Sequence, residues 1–362
     1  MARIPLFNPA AQYGPFLPEL KERLAAVLDG GRFILGPEVR AFEEEAAAYL
    51  GVPETIGVAN GTDAISLVLS ALEIGPGDEV ICPAFTFYAT AEPIAQHGAT
   101  PVFADVDPAT LNLDPGDVAR RVTDRTKAIV PVHLFGRPAQ LAELAGLGPP
   151  IVEDAAQAFG AEGIATTGVA STFSFYPTKN LGALGDGGLV AVTDDEVGER
   201  IRLLRFHGSR DKRDFQLVGY NSRLDELQAA ALRLLLPEVT EWNRLRRKAA
   251  ERYAELGLGE LVELPPDDGR HVYHLYVVRS PERDRIRAAL DDAGIGCAPY
   301  YVTPLHLQPA LRHLGHSEGD FPETERAARE NLALPLWPGI ERETQERVVE
   351  AVRSAVRERV VS

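Results

Sequence analysis

Lys179 stands in Phe173-Ser174-Phe175-Tyr176-Pro177-Thr178-Lys179-Asn180, a run of aromatic residues that opens into the apolar, glycine-rich stretch Leu181-Gly182-Ala183-Leu184-Gly185-Asp186-Gly187-Gly188. A surface lysine ordinarily has polar neighbours, whereas this one lies between rings and a turn that lets backbone approach closely. Only five of the 37 basic residues are lysines, at 21, 127, 179, 212 and 248, so a lysine in an apolar setting needs a reason. Desolvation lowers the pKa of an amine and frees its lone pair, the condition for a lysine that condenses with a carbonyl as a Schiff base.

Two further constellations carry chemistry. In Glu153-Asp154-Ala155-Ala156-Gln157, the aspartate is expected at the C-terminal end of a strand and Gln157 near the start of a helix. Asp154 is then either an N-cap or a carboxylate that holds a protonated heterocyclic nitrogen by a charge-assisted hydrogen bond. Asn60-Gly61-Thr62-Asp63-Ala64 follows a strand and opens an apolar helix, whose N–H groups and dipole suit a phosphate. Thr62 or Asp63 as a plain N-cap explains the same residues. His133 closes an apolar strand and reads as a supporting core histidine, and His306, His313 and His316 lack the carboxylate pattern of a metal site. The glutamate-rich faces around Glu43–Glu45 and Glu341–Glu350 read as solvated surface. Gly61–Asp63 and Gly185–Gly188 match neither a Walker loop nor a dinucleotide fingerprint.

These residues must be positioned by an α/β framework. Strands are expected at Thr55–Ala59, Glu79–Cys82, Pro101–Asp105, Lys127–Val132, Ile151–Asp154, Thr172–Tyr176 and Gly188–Thr193, alternating with helical patterns at Asp63–Leu72, Tyr88–His97 and Asp117–Arg121. Continuous apolar runs such as Ala128-Ile129-Val130-Pro131-Val132 suit a mainly parallel sheet covered on both faces, with ligands at the strand C-termini. Helices follow at Asp195–His207 and Leu224–Leu236, where Pro237 breaks or kinks a segment running on through Glu238–Leu256. The division predicted is a large domain over 1–236 with an N-terminal arm, and a small α+β domain over 237–362. The small domain would hold a strand at Val272–Arg279, a helix at Glu282–Ala293, a strand near Gly296–Tyr301 and helices at Glu323–Leu332 and Glu341–Arg359. Prolines 5, 9, 15 and 18 suggest that the first twenty residues form an extended arm.

Composition narrows the function. The 362 residues are 45% hydrophobic and 25% charged, ordinary for a folded globular chain. A net charge of −16 repels nucleic acid and anionic membranes. Cys82 and Cys297 suggest neither a disulfide framework nor a zinc site. The start Met1-Ala2-Arg3-Ile4-Pro5 lacks the apolar stretch of a secretory signal, and no run of about 18 apolar residues occurs, so a cytoplasmic protein is expected.

Taken in order, Gly61-Thr62-Asp63-Ala64, Pro83-Ala84-Phe85-Thr86-Phe87, Glu153-Asp154-Ala155-Ala156-Gln157, Ser174-Phe175-Tyr176-Pro177-Thr178-Lys179, Gly185-Asp186-Gly187-Gly188 and Asn221-Ser222-Arg223-Leu224-Asp225 resemble the DegT/StrS family of sugar aminotransferases. The resemblance continues through Gly31–Pro37 and Tyr300–Pro309. It implies a pyridoxal 5'-phosphate enzyme of the aspartate-aminotransferase fold (fold type I), with a seven-stranded sheet in the large domain. Carried over by position, Lys179 is the Schiff-base lysine, Asp154 the partner of the pyridine nitrogen, Gln157 a contact of the phenolic oxygen and Phe87 the stacking ring. Gly61, Thr62 and Ser174 would hold the phosphate, joined by Asn221 from the partner of a homodimer. The resemblance further implies L-glutamate as amino donor and a UDP- or dTDP-linked keto sugar as acceptor, with Arg223, Tyr300, Tyr301 and His306 as sugar or nucleotide contacts. Similarity around Gly31–Pro37, Asn60–Ala64 and Asn221–Asp225 favours a 3-keto sugar over a 4-keto sugar. A sugar dehydratase of the same fold, which carries histidine where Lys179 stands, and a non-catalytic regulatory protein are the alternatives.

Overall fold

A computed structural model describes residues 3–357. Seven strands precede the small-domain pair: β1 (Glu54–Val58), β2 (Glu79–Pro83), β3 (Thr100–Ala104), β4 (Thr126–Ile129), β5 (Val152–Asp154), β6 (Ala170–Ser174) and β7 (Gly188–Val192). They make a four-stranded sheet in the order β1-β7-β6-β5 and a three-stranded sheet in the order β3-β2-β4. Parallel bridges at Ile129–Ile151 and Val132–Asp154 tie the two together between β4 and β5. Only β7 runs against its neighbours, pairing antiparallel with β1 and β6. The expected α/β architecture and each of the seven strands are present, within a few residues of the boundaries read from the sequence.

The strands are apolar throughout because both faces are covered. In β7, Val190 and Val192 enter one core cluster while Leu189 and Ala191 enter another, the period-2 alternation of a strand buried on both sides. The helix Gly61–Ala71 lies in the first cluster, and the helices Leu17–Gly30, Pro37–Leu50 and Glu226–Leu235 contribute to the second. A third cluster gathers around β8 (Tyr276–Arg279) and β9 (Asn331–Leu334), which pair antiparallel, with the helices Arg283–Asp292 and Arg342–Arg357. Trp242 of the helix Val239–Glu255 packs in the second cluster and Tyr253 in the third, so this helix serves both bodies.

Four expectations are corrected. The N-terminal segment is not an extended arm: helix Pro9–Tyr13, a 3-10 turn Gly14–Phe16 and helix Leu17–Gly30 follow one another. Prolines 9, 15 and 18 sit at helix starts, where a fixed φ and a missing N–H are no handicap. The segment near Gly296–Tyr301 is not a strand and makes a single bridge, Ala298–Ala333. The helix expected at Glu323–Leu332 runs Pro322–Glu330 and gives way to β9, a short apolar strand that a helical pattern running into it concealed. Glu43 is not solvated: it is 7% exposed, and its carboxylate accepts from Gly57 N at 2.8 Å and Arg205 Nη1 at 2.5 Å. Positions 1–2 of the expected arm and 358–359 of the expected last helix lie outside the described residues.

Candidate active site

The C-terminal ends of the parallel strands open onto a cleft of about 950 Å³. Its walls carry Asp154 from the end of β5, Ser174 from the end of β6, Phe87 from the turn after β2, Gly61 and Thr62 from the first helical turn after β1, and Lys179 from the loop after β6. Gln157, Tyr300 and Tyr301 complete it.

Lys179 is held by a turn in which its N–H donates to Tyr176 O at 2.8 Å. The N-terminal helix pins this turn from outside, Tyr13 donating to Pro177 O at 2.9 Å and Gln12 to Asn180 O at 3.1 Å. A Cβ on Gly182 would meet Tyr13 Oη at 2.5 Å and Pro177 O at 2.7 Å, which is why the glycine-rich sequence is needed there. Burial lowers the Lys179 pKa to about 8, with the Asp154 carboxylate opposing that fall.

Asp154 is 5% exposed. Burial raises its pKa, against hydrogen bonds from Thr90 and Ala156 N–H and the charge of Lys179. Ala156 N donates to Asp154 Oδ1 at 3.2 Å in a tight turn; no helix begins here, so the N-cap reading of Asp154 falls and Gln157 lies in a turn rather than near a helix start. Behind it, His133 is fully buried and donates Nε2–H to Glu153 Oε2 at 3.0 Å, while Nδ1 accepts from Ala139 N at 2.9 Å. Both imidazole nitrogens are thus satisfied, as its reading as a supporting histidine requires. Burial works to raise the Glu153 pKa, but His133 and the N–H groups of Ala165 and Gly168 bring it below its ordinary value.

The N-cap of helix Gly61–Ala71 is Asn60, whose Oδ1 accepts from Asp63 N at 2.8 Å, rather than Thr62 or Asp63. The first-turn N–H groups of Gly61 and Thr62, having no intrahelical acceptor, lie at the cleft wall. A Cβ on Gly61 would come within 2.8 Å of Ser174 Cβ, and one on Gly188 within 2.4 Å of the Asn60 carbonyl carbon. Glycines therefore let a helix N-terminus and two strand ends converge, leaving N–H and hydroxyl donors around a space suited to an anion.

Phe87 is 56% exposed, with its ring 5.9 Å from that of Tyr301. Asn221 and Arg223 do not line the cleft of their own chain: Asn221 is exposed, and the Arg223 guanidinium lies 5.8 Å from the Phe206 ring centroid. His306 does not reach the cleft either. It is 2% exposed, its Nε2 lies 3.2 Å from Glu325 Oε1, and its ring packs on Phe321. The sequence reading passed over His274, which is 5% exposed at the cleft wall with Nδ1 buried and unpartnered. Burial holds His274 well below its ordinary pKa, with the Lys179 and Arg246 charges adding, so the imidazole is neutral. It was passed over because a histidine within the apolar run Val272–Val278 reads as core.

The donor set would suit a planar heterocycle with a protonatable nitrogen toward Asp154, an aldehyde within reach of Lys179 and a phosphate at the helix N-terminus. The DegT/DnrJ/EryC1/StrS aminotransferase family matches residues 17–353. A "Pleiotropic regulatory protein" of Geobacillus stearothermophilus is 47% identical, over 96% of this chain and 97% of its own. The dTDP-3-amino-3,4,6-trideoxy-alpha-D-glucose transaminase of Streptomyces venezuelae is 43% identical, over 97% and 96%. Among solved structures, S. venezuelae DesV in complex with a ketimine intermediate superposes with a TM-score of 0.94 at 42% identity, covering 98% of each chain.

Proposed function

The chain belongs to the DegT/DnrJ/EryC1/StrS aminotransferase family, and on that premise we propose that it moves the amino group of L-glutamate onto carbon 3 of a UDP- or dTDP-linked 3-keto hexose. The observation that carries this is the single cleft in which a lysine of pKa about 8 sits in the field of a buried aspartate, beside a helix N-terminus free to take a phosphate. The S. venezuelae relative, named for a dTDP-3-amino sugar, supports the nucleotide and the carbon.

Pyridoxal phosphate, when bound, supplies an electron sink for the negative charge that develops at the carbon bearing the amino group. Toward it, Gly61 and Thr62 N–H and the Ser174 hydroxyl would hold the phosphate, with Asn221 supplied by the second chain of a homodimer. Asp154 would hold the proton of the ring nitrogen, and Phe87 would cover one ring face. Gln157 has its Oε1 taken by Phe135 N at 2.7 Å and one Nε2 hydrogen by Tyr301 at 3.1 Å, which leaves one N–H for the phenolic oxygen. Lys179, besides anchoring the aldehyde, would serve as the base that removes the proton from the donor carbon and, in the second half-reaction, as the acid that delivers a proton to the acceptor carbon. Tyr300, Tyr301 and Arg223 would contact the sugar and nucleotide, while His306 serves the packing behind them through Glu325.

A regulatory reading is favoured by one observation, the name of the 47% identical relative. Incubation with L-glutamate and a panel of UDP- and dTDP-linked 3-keto and 4-keto hexoses separates the readings. An amino group at carbon 3, located by NMR, is the result expected. Turnover of 4-keto sugars alone would move the assignment to carbon 4, and absence of turnover together with no reaction of glutamate would favour the regulatory reading.

A further inference from the structure

Beside the carboxylate of Asp154, on the same cleft wall, lies a short chain of hydroxyls. Thr90 Oγ1 is 2.8 Å from Asp154 Oδ2, and Thr86 Oγ1 is 3.1 Å from Thr90 Oγ1. Both threonines are buried, at 2% and 1% exposed. They belong to one turn: Thr86 follows β2, and Thr90 closes the 3-10 turn Tyr88–Thr90, its N–H donating to Phe87 O at 3.1 Å. The four-residue spacing brings the two hydroxyls together while the turn presents the Phe87 ring to the cleft.

The direction of the chain follows from proton counting. An ionised carboxylate only accepts, so the single hydroxyl proton of Thr90 goes to Asp154. Thr90 can then only accept from Thr86, whose proton is fixed in turn. Oδ1 is held separately by Ala156 N. We infer that Thr90, backed by Thr86, is a positioning residue that keeps the Asp154 carboxylate ionised and oriented, so that the proton it shares with a heterocyclic nitrogen stays on the nitrogen. The inference rests on the proposed pyridoxal phosphate site. The energetic logic is that burial alone pushes Asp154 toward its neutral form, and the Thr90 hydrogen bond is first among the effects that oppose it. Without that bond the carboxylate is more basic, the shared proton moves onto Asp154, and the ring loses the positive charge that makes it an electron sink.

The test uses protein loaded with pyridoxal phosphate labelled with ¹⁵N in the ring, in wild type and in Thr90→Val, Thr90→Ser and Thr86→Val. Valine keeps the shape and removes the hydroxyl; serine keeps the hydroxyl. In Thr90→Val the ring-nitrogen resonance should move from the protonated toward the neutral position, and the glutamate half-reaction should slow by roughly tenfold or more, as for loss of a bond to a charged group. Thr86→Val should shift it in the same direction by less, since it removes only the polarising neighbour. Thr90→Ser should restore both readouts to within about threefold of wild type. A folded, cofactor-loaded Thr90→Val with the wild-type ¹⁵N position would overturn the inference and leave the proposed function standing. A wild-type protein that captures no cofactor would overturn the proposed function and this inference with it.

Discussion

Gln157 Nε2 donates to the Tyr301 hydroxyl at 3.1 Å, joining the end of β5 to a segment 144 residues further along the chain. Because that hydroxyl already accepts from Gln157, its own proton is left for a ligand in the cleft. Burial raises the Tyr301 pKa well above the ordinary value, so the donor stays protonated across the working range.

Tyr301→Phe should therefore separate the two half-reactions. The ring contacts with Phe85 at 6.1 Å and Phe87 at 5.9 Å survive the change; the hydroxyl is lost both as the donor to a ligand and as the acceptor of Gln157 Nε2, which lies beside the open cleft. Amination of the keto sugar is expected to slow roughly tenfold, with the glutamate half-reaction within about threefold of wild type. Rapid mixing of each half-reaction checks this; equal slowing of both would place Tyr301 outside sugar recognition.

The rate at which apo-protein captures pyridoxal phosphate should rise about tenfold per pH unit up to about pH 8 and then level off, because the reacting species is the neutral Lys179 amine. A lysine that titrates at about 8 folded and near 10.5 unfolded binds fewer protons in the native state between those values, so apo-protein stability should also rise with pH across that window. Asp154→Asn removes the charge that holds the Lys179 pKa up, so the capture midpoint should fall below about 8. A midpoint that stays put or rises would contradict the pairing.

Glu43→Ala should destabilise the fold by about 3–5 kcal/mol, because Arg205 would be left as a buried cation without its partner. The same change strands Gly57 N, which donates to Glu43 at 2.8 Å. Urea unfolding measures it; a loss under about 1 kcal/mol would show that the pair is solvated in solution.

Sharing of sites across a dimer predicts complementation. Lys179→Ala and the double variant Asn221→Asp, Arg223→Ala should each be inactive, yet a mixed dimer would have one site with both defects and one with neither. About half of wild-type activity per heterodimer is expected. Demonstrated heterodimers with no activity, from parents that remain folded and dimeric, would show that Asn221 and Arg223 serve their own chain.

The sheet was legible because its strands are short, apolar and punctuated by turns, and the strand ends then marked Asp154 and Lys179 without any ligand in view, whereas Ser174 came only from the family resemblance. Contacts distant in sequence were not legible. Glu226 caps the helix Pro37–Leu50 from far along the chain, accepting from Gly36 N at 2.7 Å and Val39 N at 3.0 Å. Nothing local to Gly36 announces it. Glu43 looked like one more surface glutamate because its partner Arg205 lies 162 residues away. Thr90 and Gln12 are small or uncharged residues whose roles depend on which backbone they meet after folding. The prolines of the N-terminal segment misled in the opposite sense, since a proline breaks a helix interior but starts a helix equally well.

The central claim is that the cleft around Lys179 takes an amino group from glutamate before any sugar is present. Protein loaded with pyridoxal phosphate and mixed with L-glutamate alone should lose its visible absorption and release about one 2-oxoglutarate per chain, then stop until a keto sugar is added. Lys179→Ala should release none. A loaded wild-type protein that yields no 2-oxoglutarate, or a Lys179→Ala variant that yields as much as wild type, would contradict the account.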